Sequence, residues 1–576
     1  MLRLVPRELP ADAAARAGLL GAGLHPVLER VYAARGVRSA DELAHTLDRL
    51  LPVSSLEGTH EAAQLLLAHR GRRVLVIGDY DADGATSSAL MLRALRAWGF
   101  AAVDFLVPNR FEYGYGLSPE IVAIAALRAP SLIVTVDNGV ASHAGVAAAR
   151  ARGIEVLVTD HHLPAATLPE ASVMVNPNLA GSRFGSRALA GVGVAFYVCA
   201  ALHRLLQERA LLPAGAPRVA EWLDLVALGT VADVVPLDHN NRVLVSQGLA
   251  RIRAGRCAPG ITALLALARR NLSQLVASDL GFAVAPRLNA AGRLTDMSIG
   301  IRCLLSDTAA EAAALAAELD TLNAQRREIE AGMQAQALAA VRGLGNAGSG
   351  PQRAGVCLYQ ADWHQGVVGL VASRVKEKLR RPVVAFALAD ARTLRGSARS
   401  VAGVHIRDVF EAVASREPGL LEKFGGHAMA AGLTLPLDAL DRFARAFDAE
   451  VARCLGPPGR LDAIDTDGEL AWAQIGLPLA EALAAAGPWG SAFPEPLFQG
   501  VFTVRAAKVV GERHLKFQVA APEGRGGFDA IAFNSIDPEA RLPLPEGPRR
   551  LAYRLGTNDY GGERRLQLVV EHLLPP

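Results

Sequence analysis

The sequence predicts an α/β protein of several domains: a parallel-sheet domain, a long connecting helix, a smaller α/β domain and a C-terminal β-barrel. Three observations predict it. Short apolar runs alternate with Ala/Leu/Arg-rich helical segments between residues 74 and 175. An alanine-rich, charged stretch fills 307–343, and a second α/β alternation follows it to about 455. Five short apolar runs separated by turn residues then occupy the C-terminal end. A length of 576 residues suits roughly three or four domains.

Taken in order, residues 1–60 read as an N-terminal helical region and 61–306 as the first α/β domain. Within it, "VLVI" (74–77), "AVDFLVP" (102–108), "LIVTV" (132–136), "VLVT" (156–159) and "SVMVNP" (172–177) read as strands. Segments such as "SSALMLRALRAWG" and "AGVAAARARG" read as helices, each ending in glycine. Residues 180–306 read as mostly helical. Thr308 and Glu311 form a capping-box pattern that opens a single helix over 307–343, with Gly343 expected to end it. "LGNAGSGPQRAG" (344–355) reads as a linker, 350–455 as the second α/β domain and "GPPGR" (456–460) as a boundary. In 461–576, "FTVRAAKVV", "LKFQVA", "FDAIAFN", "RRLAYRLG" and "RRLQLVVEHL" supply five barrel strands.

Composition excludes several classes. Half the residues are apolar, yet no run of about 18 apolar residues marks a transmembrane helix, and the N-terminus lacks an apolar core of signal-peptide length. Five cysteines stand far apart with no C-x-x-C pair, which suits reduced thiols in a cytoplasmic protein. The net charge of +3 provides no global polycation, so any nucleic-acid contact must use local patches. Only five of the 60 basic residues are lysine; arginine suits bidentate phosphate contacts, and an Ala- and Arg-rich chain also reflects base composition.

The chemistry concentrates in "VLVIGDYDADG" (74–84). If the chain stays extended past the strand, alternation turns Asp79, Asp81 and Asp83 to one side. Carboxylates so placed suit a hard divalent ion such as Mg²⁺ or Mn²⁺, though a solvated acidic turn accounts for these residues alone equally well. "LIVTVDNG" ends a strand in Asp137, "VLVTDHH" ends the next in Asp160, His161 and His162, and "LGTVADVVPL" ends a helical run in Asp233. Each acid follows an apolar run and arrives at the same edge of the sheet, where ligands of such sheets bind. Four or more carboxylates with a histidine suffice for two metals, which can activate water for phosphoryl displacement.

"DYDADG" (79–84), "DNG" (137–139), "TDHH" (159–162) and "TVADVVPL" (230–237), in that order, resemble the DHH phosphoesterase superfamily. "VPNRFEYGYGLS" (107–118) and "APRLNAAGRL" (285–294) are similar to segments of its RecJ branch. "WHQGVVGLVASRVKEKL" (363–379), "GSARS" (396–400) and "FGGHAMAAG" (424–432) resemble the DHH-associated domain. The resemblance covers nearly the whole chain. It implies a DHH catalytic domain, a DHH-associated domain and an OB-like nucleic-acid-binding barrel. The activity it implies is a metal-dependent 5′→3′ exonuclease on single-stranded DNA, releasing 5′-mononucleotides in repair and recombination. A cyclic-dinucleotide or oligonucleotide phosphodiesterase, and a non-catalytic DNA-binding replication scaffold, are the alternatives within the superfamily.

The resemblance also implies roles. Asp79, Asp81, Asp83, Asp137, His161 and Asp233 hold two Mn²⁺ or Mg²⁺ ions, with Asp137 as the bridge. His162 hydrogen-bonds the scissile phosphate and Asp160 orients a neighbouring histidine. Arg287, Asn289 and Arg293 contact the DNA backbone, and Ser397, Arg399 and His427 hold the 5′-terminal phosphate. Independently, Arg110 follows a strand near the acid edge, and Tyr113 and Tyr115 flank Gly114, where either base stacking or ordinary packing fits. "GSARS" reads as a short loop offering an oxyanion cradle or as a plain polar turn. Residues 365–430 carry eleven Arg/Lys against six Asp/Glu. The barrel aromatics Phe502, Phe517, Phe528, Phe533, Tyr553 and Tyr560 suit a core at least as well as a stacking surface. A single-stranded-DNA-binding protein and a RecQ-type helicase are the partners the resemblance suggests, with the chain acting as a monomer away from any membrane.

Overall fold

The computed structural model describes residues 2–10, 23–109, 111–113, 116–346, 353–455, 463–511, 513–521, 526–536, 544–558 and 563–576. The chain forms two compact units. One holds residues 2–289, 296–320 and 464–576, and the other 290–295 and 321–463.

The first unit is not purely helical at its start. Strand β1 (Arg3–Pro6) precedes helix α1 (Pro26–Ala34), and three 3₁₀ turns follow before α2 (Thr59–Ala68). "RLVP" is too short and too polar in context to read as a strand; the Arg7 N–H continues its pairing to the Thr466 carbonyl. The chain then runs β2 (Arg73–Gly78), α3 (Ala82–Ala97), β3 (Ala102–Leu106), α4 (Pro119–Ala126), β4 (Leu132–Val136), α5 (His143–Arg150), β5 (Glu155–Thr159) and β6 (Val173–Val175). These strands make one parallel sheet in the order β3-β2-β4-β5-β6. Val74 to Ile77 and Leu132 to Val134 are wholly buried, as expected of strands covered on both faces. The register matters most. Gly78, Val136, Thr159 and Val175 stand side by side in one row. The next residue of each strand is therefore Asp79, Asp137, Asp160 and Asn176.

Helices α6 (Gly191–Glu208), α7 (Leu223–Ala232), α8 (His239–Arg253), α9 (Pro259–Leu267), α10 (Ala285–Leu294) and α11 (Ser298–Leu305) follow. The connecting helix α12 spans Ala309–Asn346, with the Glu311 N–H bonded to the Thr308 hydroxyl at its start. Gly343 lies inside it rather than ending it. A helix-interior glycine costs only about 1 kcal/mol against alanine, and the run around it is otherwise helix-favouring.

The second unit pairs β7 (Val356–Tyr359), α13 (Val368–Leu379), β8 (Val383–Leu388), β9 (Thr393–Arg399), α14 (Ile406–Arg416), β10 (Lys423–Gly426), β11 (Ala430–Pro436) and α15 (Leu440–Leu455). Its mixed sheet has the order β10-β11-β9-β8-β7 over a core of Phe386, Phe410, Phe443 and Phe447. "GSARS" is not a loop: Gly396 to Arg399 lie in β9, paired to both β8 and β11. Its backbone amides serve the sheet, so only the side chains remain for a ligand.

Back in the first unit, strand β12 (Ala463–Thr466) leads to α16 (Leu477–Ala485) and a closed barrel, β13-β14-β15-β17-β16. Its strands are β13 (Phe498–Val510), β14 (His514–Ala520), β15 (Phe528–Ala532), β16 (Gly547–Asn558) and β17 (Arg565–Leu574). Phe502, Phe517 and Tyr553 are core, Phe528 packs on Trp472, and Phe533 alone of the described candidates is exposed. Tyr560 lies outside the described residues. Arg35, the residue that caps the end of α1, has a buried side chain that forms a fork with Asp467, 2.6 and 3.0 Å, and joins the N-terminal helix to the segment before the barrel. All five cysteines are free, and no helix among the described residues is long and apolar enough to cross a membrane.

Candidate metal centre

The site grows from the row beyond the parallel strands. Asp79 leaves β2 almost fully buried. Asp81 ends the extended segment as the N-cap of α3, its Oδ1 accepting the N–H groups of Asp83 (2.9 Å) and Gly84 (3.1 Å). Helix begins at Ala82, so Asp83 is not the third tooth of an extended comb. It sits in the first helical turn, and its carboxylate accepts the Gly191 and Val192 N–H groups at the start of α6, at 2.6 and 2.9 Å. Asp137 follows β4 in the left-handed region, φ +63°, a conformation that Asp tolerates better than most residues. Gly191 faces it so closely that a Cβ there would fall 2.6 Å from the Asp137 Cβ. Gly229 of α7 likewise leaves room for Asp83, which a Cβ would meet at 2.9 Å.

His161 and Asp233 close the cluster. His161 Nε2 lies 3.2 Å from Asp137 Oδ1 and 3.5 Å from Asp233 Oδ2. Three triads place ligand atoms within 4.8 Å of one another: Asp79, Asp81 and Asp137; Asp137, His161 and His162; Asp83, His161 and Asp233. Asp137 and His161 each belong to two of them. Asp160, buried, bonds His162 Nδ1 through Oδ1 at 2.7 Å and accepts the Val140 N–H through Oδ2 at 2.8 Å.

The electrostatics favour a cation. Burial raises the Asp137 carboxyl well above the usual carboxylate range, and the charges of Asp83, Asp81, Asp79 and Asp233 push it further. Burial and the Asp83, Asp81 and Asp79 charges do the same to Asp233. Burial, then Asp81, takes Asp83 up to about 7. Carboxylates so crowded resist ionisation together, and a divalent ion among them reverses that. Oxygen ligands with one imidazole are the donor set of Mg²⁺ or Mn²⁺. Around His162 the balance differs. Burial opposes its charge, but the Asp160 bond and nearby carboxylates outweigh burial and raise it.

The other sequence candidates divide. Asn289 joins the cluster, its Oδ1 accepting the Ala82 N–H at 2.8 Å, and so holds the start of α3. Arg287 instead pairs with Asp320 at 2.8 Å. Tyr113 packs against the apolar cluster on one face of the sheet, the packing alternative. Arg110, Gly114 and Tyr115 lie outside the described residues. In the second unit, Ser397 Oγ accepts from Arg399 Nη1 at 3.1 Å. Gly369, in the first turn of α13, lies against both. Arg399 pairs across strands with Ala430, whose carbonyl accepts the His427 N–H at 2.8 Å. Arg293 bonds the Gly366 carbonyl at 3.1 Å, two residues before α13. Sequence reasoning does not single out Asn138, Asn176, Asn178, Gly191 or Gly229. Asn138 and Asn176 follow strands as the acids do, and that is the signal by which they could be found.

Comparisons with known proteins converge on this reading. Residues 73–230 match the DHH family N-terminal domain, 352–453 the DHHA1 domain and 466–572 the RecJ OB domain. A single-stranded-DNA-specific exonuclease RecJ from Dickeya dadantii is 53% identical over 564 residues, 96% of each chain. The crystal structure of Thermus thermophilus RecJ with Mn²⁺ matches 100% of this chain and 79% of that one, with a TM-score of 0.81 and 33% identity. The same protein with Mg²⁺ matches 100% of this chain and 78% of that one, with a TM-score of 0.75 and 31% identity. With the DHH, DHHA1 and OB units in the same order and relatives matched along almost their full length, the chain belongs to the RecJ family of single-stranded-DNA-specific exonucleases.

Proposed function

We propose that the chain hydrolyses single-stranded DNA from its 5′ end, one nucleotide at a time, as a metal-dependent exonuclease. The observation that carries it is the row Asp79, Asp137 and Asp160 beyond three adjacent parallel strands, closed by His161 and Asp233. Asp79, Asp81, Asp83, Asp137, His161 and Asp233 would hold two divalent ions; of the two residues that belong to two triads, Asp137 and His161, only the carboxylate has the lone pairs to serve both, which favours Asp137 as the shared ligand. When bound, such ions activate water and neutralise charge on the phosphoryl oxygens.

The chain's own groups do the rest. Asp160 accepts the hydrogen bond of His162 Nδ1–H and favours the protonated ring, whose Nε2–H would donate to a scissile phosphate. Asn289 keeps the N-terminus of α3 in place beside the acids. Ser397 and Arg399 lie against the start of α13, Arg293 bonds the carbonyl two residues before it, and His427 is tied to Ala430, the cross-strand partner of Arg399. Helix N-termini and guanidinium groups both favour phosphate, so this cluster suits the 5′-terminal phosphate and would fix polarity. Arg287, held by Asp320, would reach DNA only after exchanging that partner. Action in the cytoplasm as a monomer, in repair and recombination, beside a single-stranded-DNA-binding protein and a RecQ-type helicase, fits this activity.

Digestion of oligonucleotides labelled at either end, with and without EDTA, tests nuclease activity, metal need and polarity together. Equal loss of both labels, or digestion that survives EDTA, overturns the reading. Turnover confined to dinucleotides would favour the small-substrate phosphodiesterase instead.

A further inference from the structure

The two histidines of "TDHH" stand on a loop, yet each of their backbone polar groups is held by a side chain. Asp160 Oδ1 accepts the N–H of His161 at 2.7 Å and of His162 at 3.1 Å. Asn178 Nδ2 donates to the His161 carbonyl at 2.6 Å, and Asn176 Nδ2 to the His162 carbonyl at 2.9 Å. The two asparagines are themselves locked, since Asn176 Oδ1 accepts the Asn178 N–H at 2.7 Å. Asn176 is only 2% exposed and is the fourth member of the row that holds Asp79, Asp137 and Asp160. The Asp160 N–H bonds the Val175 carbonyl, so the β6 end and the histidine loop form one brace.

We infer that Asn176 and Asn178 are positioning residues that set the His161 and His162 imidazoles against the carboxylates, and so govern divalent-metal affinity without touching DNA. The inference rests on the nuclease reading above for its consequence in turnover, and on geometry for its effect on metal. The physical reason is direct. A backbone carbonyl left without its donor in this part-buried loop turns to find another, on the protein or in water. Rotation of the His161 peptide swings the imidazole away from its place 3.2 Å from Asp137. Partners of this kind, one bond removed from metal ligands, change metal affinity or activity by about 10–100-fold when removed. Asn178 Nδ2 also reaches the Arg187 carbonyl at 3.3 Å, a longer contact than its 2.6 Å bond to the His161 carbonyl.

The test is a Mn²⁺ titration of the full chain, followed by the electron paramagnetic resonance of the free ion, on Asn178→Ala, Asn178→Leu, Asn178→Gln and Asn176→Ala. Asn178→Ala and Asn178→Leu should weaken Mn²⁺ binding roughly 10–100-fold. Asn178→Gln, which keeps an amide donor, should recover part of the loss. KM for a 5′-phosphorylated oligonucleotide at saturating Mn²⁺ should stay near wild type while kcat falls. Asn176→Ala, which also removes the acceptor of the Asn178 N–H and so loosens the hold on His161, supplies an independent variant should Asn178→Leu fail to fold. Unchanged Mn²⁺ affinity in the folded variants overturns the inference, as does a loss carried wholly by KM. A wild-type chain that binds Mn²⁺ but leaves DNA intact would overturn the nuclease reading, while the titration still decides the role of the asparagines.

Discussion

The metal edge of the large sheet and the Ser397–Arg399–His427 edge of the small one both present polar side chains at the margin of a sheet, but they are assembled by opposite rules. In the large sheet every strand runs the same way, so each strand delivers its next residue to the same edge. Asp79, Asp137 and Asp160 are neighbours in space because each follows an apolar run. In the small sheet β9 is antiparallel to both neighbours. Its partners arrive in reverse order, and Arg399 meets Ala430, at the start of β11 rather than at its end. The lesson is that a parallel sheet writes its site into the sequence as a repeated sentence ending, whereas an antiparallel sheet scatters it.

The sharpest way to break this comparison is at Asp137. Asparagine tolerates the left-handed backbone there, so Asp137→Asn removes charge with little strain. Loss of a carboxylate shared by two metal triads should cost several kcal/mol of transition-state stabilisation, about a thousandfold in the single-turnover rate. A rate within about tenfold of wild type at saturating Mn²⁺ would mean the row is not the reactive edge. Asp137→Ala should fall at least as far.

Gly191→Ala comes next. The new Cβ would lie 2.6 Å from the Asp137 Cβ, a stiff atom close to a strained backbone, so neither side can yield cheaply. Overpacking of this kind costs about 1–3 kcal/mol, here expressed in the position of Asp137. Mn²⁺ affinity and kcat should drop together by about ten- to a hundredfold. Normal Mn²⁺ binding would show that Asp137 can move without consequence.

Much of this arrangement is legible in the amino-acid sequence alone. The strands of the large sheet fall within about two residues of the apolar runs, because strands buried on both faces lack the polar alternation that blurs boundaries. Asp137, Asp160, His161 and Asp233 are legible as sentence endings. Asp83 is reached by the wrong period, because Asp81 caps a helix where alternation assumes an extended segment. "GSARS" reads as a loop because glycine and serine resemble turn residues, while the alternating buried positions Gly396 and Ala398 mark a strand. Asn176 and Asn178 pass as turn residues for the same reason. Tyr113 shows that an aromatic beside a glycine carries no sign of which side it faces.

Arg399→Ala tests the small-sheet edge, with a smaller expected effect. A charge-assisted hydrogen bond to phosphate is worth about 1.5–3 kcal/mol. The preference for a 5′-phosphorylated over a 5′-hydroxyl oligonucleotide, read as a ratio of kcat/KM, should shrink by about ten- to a hundredfold. Equal losses on both substrates would place the end-reading elsewhere, and the comparison would lose its second term.

Gly369→Ala is the counterpart of Gly191→Ala and should have the smallest effect. The new Cβ would lie 2.9 Å from Ser397 Oγ and 3.0 Å from Arg399 Nη2. These are the ends of side chains, and the guanidinium can swing aside on a long stem. At Asp137 the crowding meets a Cβ, which moves only with its backbone. Close contact with a tip therefore costs less than close contact with a root, on the order of 1 kcal/mol, the mild end of overpacking. The 5′-phosphate preference should fall by about fivefold, with Mn²⁺ affinity and the rate on 5′-hydroxyl substrates unchanged. The measurement is the same pair of kcat/KM values used for Arg399→Ala, with Gly191→Ala run beside it. If Gly369→Ala weakens Mn²⁺ binding as strongly as Gly191→Ala does, the two edges do not act independently, and the division of labour between metal ligands and end recognition fails.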